Sequence, residues 1–261
     1  MPQDVDLTNL FGRPPEEVVE YFRSKGYEIS FRWRDVFREA HQRAFTVAGV
    51  TKMDVLQTIR GEIDRTLQQG QTFRDFQNNL EEKLRTLGWW GKKEVVDEET
   101  GEVREVDLSQ PHRLRTIYQT NLQTSYAKGR YETQSSTKDA LPYWKYDAVM
   151  DQATRPSHAA LNGMVFRADD PIWDKLYPPN GFNCRCSVQA LTRGQLERQG
   201  LDVSDGSSIA IPNHVDRAFR YNPGKVDRAG TDLDDRPPDM AADHRAAQQE
   251  YSPPSNEQID G

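Results

Sequence analysis

The residues best suited to chemistry lie between positions 151 and 186. One end of this stretch reads Asp151-Gln152-Ala153-Thr154-Arg155-Pro156-Ser157-His158, and the other reads Pro178-Pro179-Asn180-Gly181-Phe182-Asn183-Cys184-Arg185-Cys186. Three readings of these residues stand open. In the first they hold a structural zinc ion. Residues i and i+2 of a strand point to one face, so the thiolates of Cys184 and Cys186 converge, with His158 as third ligand and Asp151 as fourth. The C-x-C spacing is tighter than the C-x₂₋₄-C of common structural zinc sites, and only one histidine lies nearby. In the second reading a cysteine is a nucleophile, His158 its base and Asp151 the group that orients the base, as in a cysteine peptidase; a metal-dependent hydrolase is the related alternative. No residue pattern here announces an oxyanion hole or an activated thiolate. In the third, Asp151 and Thr154 cap a helix carrying His158 and Leu161, and the cysteines are small residues on a half-buried strand. A disulfide across one intervening residue would close a strained loop, so the pair is read as thiols in a reducing compartment.

These side chains need elements to position them. Pro142–Val149, Gly163–Phe166 and Cys184–Val188 each suit a short strand, the first with Trp144 and Tyr146 on one face. Ahead of them, Leu114, Ile117, Tyr118, Leu122 and Tyr126 recur at helical spacing, which predicts a long helix over Arg113–Ser136. Arg113, Arg115, Lys128 and Arg130 on that helix are a candidate contact with nucleic-acid phosphates. A helix against three strands makes a small α+β unit.

Upstream the signals are helical. Pro14-Pro15-Glu16-Glu17 reads as a helix start continuing through Val18, Val19 and Phe22, and Val36, Phe37, Ala40, Ala44 and Phe45 suggest another helix over Trp33–Phe45. Thr51 with Asp54, and Thr72 with Asp75, read as capping boxes. The stripes Leu56, Ile59, Ile63, Leu67 and Phe73, Phe76, Leu80, Leu84, Leu87 follow them, closed by Gly70 and Gly88. Joined by a short loop, they predict an antiparallel helix pair. Val95, Val96, Val103 and Val106 around Glu99-Thr100-Gly101-Glu102 predict an exposed β-hairpin. The organisation expected is a helical region over 1–91, the hairpin over 92–110, the α+β domain over 111–222 and an acidic tail over 223–261.

The chain has 261 residues, with 35% hydrophobic and 29% charged, so part of it is expected to lie outside any core. Net charge is −7. From Pro223 to Gly261 nine acidic residues face four basic ones, and that segment is expected to be disordered. The remainder is near neutral, without the basic excess of a dominant DNA-binding surface. The N-terminal residues lack the cationic start and apolar run of a secretory signal, and no window is apolar enough to span a membrane.

Several of these motifs together resemble the phage Mu F-like minor head (head morphogenesis) family. The resemblance rests on the run from Ile117 to Arg130, on Asp151…Thr154-Arg155-Pro156-Ser157-His158…Leu161-Asn162-Gly163, on Pro178-Pro179-Asn180-Gly181 and on Cys184-Arg185-Cys186. Ala44-Phe45, Ala48 to Lys52, Gly88-Trp89-Trp90-Gly91 and the segment from Val215 to Gly224 extend it over roughly Phe45 to Gly224. It implies a non-enzymatic, low-copy protein of the phage head interior, assembled in the host cytoplasm. Its implied partners are the portal protein, scaffold or major capsid protein, and in some phages packaged DNA, whose ejection it influences. Many relatives carry Cys or His at the turn before the C-x-C pair, where this chain has Asn180 and Asn183.

Overall fold

A computed structural model describes residues 16–27, 44–47, 49–50, 52–96 and 101–225. Among these the protein is α+β, as the residue patterns imply: eight α-helices accompany three small sheets. Its described residues divide into two compact units, one running to Tyr118 and the other starting at Gln119. The boundary falls inside the long helix.

In the first unit, α1 (Glu16–Ser24) follows the proline pair and buries Val18, Tyr21 and Phe22. The helix expected over Trp33–Phe45 lies largely outside the described residues. Its last two form instead the strand β2 (Ala44–Phe45), parallel to β1 (Gly26–Tyr27). The helix pair is α2 (Met53–Gln69) and α3 (Phe73–Thr86), which pack on each other with Leu56, Ile59, Ile63, Leu67, Phe76, Leu80 and Leu84 buried. Gly70 ends α2 in the left-handed conformation, at φ +62°, where a Cβ would be strained.

The two helix starts differ. Thr72 accepts from the Asp75 backbone N–H and the Asp75 carboxylate accepts from that of Thr72, a complete capping box. The box expected at Thr51 and Asp54 falls partly outside the described residues. The residue before α2 is Lys52, which makes no side-chain cap, while Asp54 accepts from Val55 N–H at 2.8 Å; Thr51 itself lies outside the described residues. The hairpin pairs β3 (Lys92–Val96) with β4 (Val103–Asp107). Val95 and Val106 are buried, whereas Val96 and Val103, opposite each other in register, are more than half exposed at 52% and 56%.

The long helix, α4 (Pro111–Ser136), leads into the second unit. There a three-stranded antiparallel sheet has the order β6 (Val165–Arg167), β5 (Tyr143–Asp147), β7 (Ser187–Leu191). The C-terminal half of α4 packs on it: Tyr131 meets the Trp144 ring edge-on at 5.7 Å, and Gln134 Nε2 donates to the Val188 carbonyl at 2.7 Å. Trp144, Phe166, Trp173 and Tyr177 form a connected ring cluster, with Trp173 carried on the short α6 (Trp173–Leu176).

The acidic tail begins later than Pro223. Pro223–Lys225 is a folded 3₁₀ turn, with Gly224 accepting from Lys128 Nζ at 2.8 Å and lying too close to the Tyr131 ring to admit a Cβ. The rest of the tail, from 226 on, lies outside the described residues.

Candidate metal centre

His158 sits on a single helical turn, α5 (Pro156–Ala159), started by Pro156 at a position where no backbone N–H is needed. The chain before it is held by side chains. The Asp151 carboxylate accepts from Ala153 N–H at 3.0 Å and from the Thr154 hydroxyl at 3.2 Å. Arg155 donates to the Phe182 carbonyl at 2.9 Å and pairs with Asp216 at 3.6 Å, which ties this turn to the cysteine segment. Asn162 accepts from Ala148 N–H at 3.0 Å.

Residues 176–181 are all buried, and a buried irregular segment must place every backbone polar group. Pro178 and Pro179 reduce that demand by carrying no N–H donor. The Asn180 carbonyl accepts from Asp216 N–H at 3.0 Å, and the Asn180 side chain donates to the Tyr146 hydroxyl at 2.9 Å. Asn183 takes φ +59°, one of the few non-glycine types that tolerates it, and Cys184 N–H then closes onto the Gly181 carbonyl at 3.1 Å. The two cysteines were expected on a strand. They lie in extended chain just before β7, which starts at Ser187, and alternate side chains still turn to the same side.

That side faces His158. Cys184 Sγ and Cys186 Sγ each lie 3.7 Å from His158 Nδ1. All three ligand atoms fall within 4.8 Å of one another, and the residues are 3–5% exposed. A tetrahedral ion with ordinary Zn–S and Zn–N bonds would set S···N at about 3.6 Å. The electrostatics are those of a thiol pair sharing protons. A hydrogen bond to Cys186, then burial, raises Cys184 well above the usual thiol range; the same hydrogen bond, with help from His158 and Tyr146, lowers Cys186. Burial, and then the two sulfurs, push the Tyr146 phenol far up, so it remains protonated beside them. On the outer side the three ligand residues line an open pocket of about 190 Å³, together with Thr154, Arg155, Phe182 and Arg185.

The other sequence candidates are placed differently. Asp151 does not join the cluster: its carboxylate is held by the Arg185 guanidinium through two bonds of 2.6 Å, and that pairing keeps its pKa well below the usual carboxylate range. This removes Asp151 both as fourth metal ligand and as the group orienting His158 in a nucleophilic triad. The reason is the alternation of the C-x-C run, which turns Arg185 outward to where Asp151 waits. Asn180 and Asn183 serve the backbone, as anchor and turn. Tyr146, which the residue pattern places only on a strand face, is the added member of the site.

The four basic residues of α4 do not share one face. At 3.6 residues per turn, positions two apart lie about 160° from each other, so Arg113 opposes Arg115 and Lys128 opposes Arg130. Arg115 lies over the Phe73 ring at 4.5 Å, Arg113 is half-buried, and burial lowers its pKa. Lys128 is buried, bonded to the Gly224 carbonyl and paired with Glu132 at 3.2 Å; Arg130 is half-buried beside the Tyr177 phenol.

The segment holding the helix pair, α4, His158 and the cysteines is also the segment that relates this chain to known proteins. The family described as Phage Mu protein F like protein matches residues 57–189. The chain belongs to this family. It is 47% identical over 232 residues to the "Putative capsid assembly protein F" of Escherichia phage Mu, covering 88% of this chain and 53% of that protein. It is 46% identical over 176 residues to the Mu-like prophage FluMu F protein of Haemophilus influenzae, covering 67% of this chain and 41% of that one. The chain thus spans about half the length of the curated relatives it matches. No solved structure matches it. Among the described residues no helix is long and apolar enough to cross a membrane.

Proposed function

We propose that this chain acts in phage head morphogenesis as a non-enzymatic minor head protein, present in low copy inside the head near the portal. The observation that carries the reading is its extended similarity to the putative capsid assembly protein F of phage Mu; 88% of this chain takes part. The described residues form two compact units, each with buried apolar residues of its own. The portal protein, scaffold and major capsid protein are the partners this reading implies, with the finished head as its place of residence.

DNA contact through Arg113, Arg115, Lys128 and Arg130 draws no support from their placement, since they point to opposite sides of α4 and Lys128 is buried. Cysteine nucleophile chemistry loses its orienting carboxylate to Arg185.

The test is quantitative mass spectrometry and electron microscopy of heads from the phage that encodes the chain, with and without a stop codon early in its reading frame. A few copies per finished head, and defective heads without it, are the expected results. Normal heads in its absence, or finished heads that never contain it, would overturn the reading.

A further inference from the structure

We propose that His158 Nδ1, Cys184 Sγ and Cys186 Sγ bind one zinc ion, and that its fourth position faces the outer pocket, where water fills it. Nothing in this assignment depends on the chain's role in head assembly.

Both sulfurs lie at 3.7 Å from the same imidazole nitrogen, close to the roughly 3.6 Å that tetrahedral zinc imposes. The ligand atoms converge without any rearrangement of backbone, because α5 and the chain leading into β7 are both held in place. Arg155 ties the first to Phe182, and the pairing of β7 with β5 holds the second.

Two thiolates and a neutral imidazole around Zn²⁺ sum to zero, the condition under which a buried polar cluster avoids a large desolvation cost. A carboxylate as fourth ligand would leave the site negative. Asp151, the only candidate acid from the sequence, is neutralised instead by Arg185. The soft S₂N donor set selects zinc over magnesium or calcium, which take oxygen ligands.

The surroundings are those of a metal's outer shell. The Tyr146 hydroxyl approaches the sulfurs from the sheet side, and Asn180, fully buried, fixes that hydroxyl at 2.9 Å. Such partners orient ligands and tune their basicity. On the opposite side the pocket of about 190 Å³ has room for solvent, with Thr154 and Arg155 on its wall.

The consequence for the fold is a staple. Zinc would join the 151–163 excursion to the 178–186 segment, two irregular stretches that otherwise meet through a few polar contacts.

The full chain, purified without chelator and with any affinity tag removed, is the material for the test. Elemental analysis is expected to give one zinc per chain. Replacement by Co²⁺ should give the visible bands of a tetrahedral ion together with sulfur-to-cobalt charge transfer in the near ultraviolet. Azide should shift the visible bands, because the fourth position is open. Cys184→Ser with Cys186→Ser is expected to lose the metal, and Asp151→Asn to keep it. Because the cysteine variants could fail to fold, alkylation of the wild type provides an independent reading: both thiols should be protected until a chelator is added. The assignment is overturned by wild-type protein that neither holds zinc nor gives the charge-transfer band with Co²⁺, or by zinc retained in the double serine variant. Loss of metal in Asp151→Asn would overturn the ligand set, and bands indifferent to azide would overturn the open fourth position.

Discussion

The two units of this protein bury polar groups in different proportions. In the first, regular helices satisfy most of their own backbone and buried carboxylates pair with cations, while Arg60 of α2 caps the Arg23 and Lys25 carbonyls at 2.8 Å each. Asp64, fully buried on α2, accepts from Arg23 at 2.9 Å and from Gln68 at 2.6 Å, and Glu62 is met by Lys83 of α3. In the second, long irregular segments leave carbonyls that no ladder covers, so buried side chains reach for backbone. Gln134 donates to Val188, Asn222 to Trp173, and the Trp173 indole to Arg167, all at 2.7–2.9 Å. The difference follows from one rule: every buried donor and acceptor must find a partner, and irregular chain raises the number to be found. It also explains why the candidate metal centre belongs to the second unit, where a crosslink between irregular segments has the most to hold.

The second unit should be most sensitive at its ring cluster. Trp173→Ala removes a fully buried ring that touches Trp144, Phe166 and Tyr177, and with it the indole bond to Arg167. A loss of about 3–5 kcal/mol is expected by denaturant unfolding. A loss below about 1 kcal/mol would mean that the rings do not carry the second unit.

The first unit should respond most to losing a charge. Arg23→Ala leaves the Asp64 carboxylate with Gln68 and without its cation. Breaking a fully buried pair costs about 3–5 kcal/mol, and because Arg23 is partly exposed about 2 kcal/mol is expected here. Unchanged stability would show that the pair is a surface contact in effect.

A third test uses pH. Burial, then Arg60, lowers the Lys25 amine from 10.5 to about 7. Between those values the unfolded chain holds a proton that the folded chain has released, so stability should rise with pH across that window. Below about 7 both forms are charged and the penalty is constant. The slope is up to about 1.4 kcal/mol per pH unit, and Lys25→Met should abolish it. Parallel stability curves for the two proteins between pH 7 and 9 would refute the assignment.

The smallest effect is local. Thr72→Ala removes one half of the α3 capping box and should cost about 1 kcal/mol, read by thermal melting, with hydrogen exchange accelerated at the start of α3. Cost-free substitution would place the stability of the helix pair wholly in its apolar stripe.

Much of this was legible in the residues. The stripe Leu56, Ile59, Ile63, Leu67, the Thr72–Asp75 box, the valines of the hairpin and the span of α4 are all written in local spacing, and local spacing is what sequence patterns report. Less legible was anything that depended on which residue meets which. Pro223–Lys225 proved part of the second unit because Lys128 and Tyr131 close over it.

Residue order and spacing carry the family, the order of elements and a chemical pairing of His158 with a Cys-x-Cys pair. The actual partners come from the folded chain. It turned both sulfurs onto one imidazole nitrogen, gave Asp151 to Arg185, brought Tyr146 and Asn180 in from behind, and set the α4 cations on opposing sides. The physical reason is that periodicity encodes which face of an element is buried, whereas a polar side chain's role is fixed by competition among all donors and acceptors within a few ångströms. Those neighbours come from distant parts of the chain.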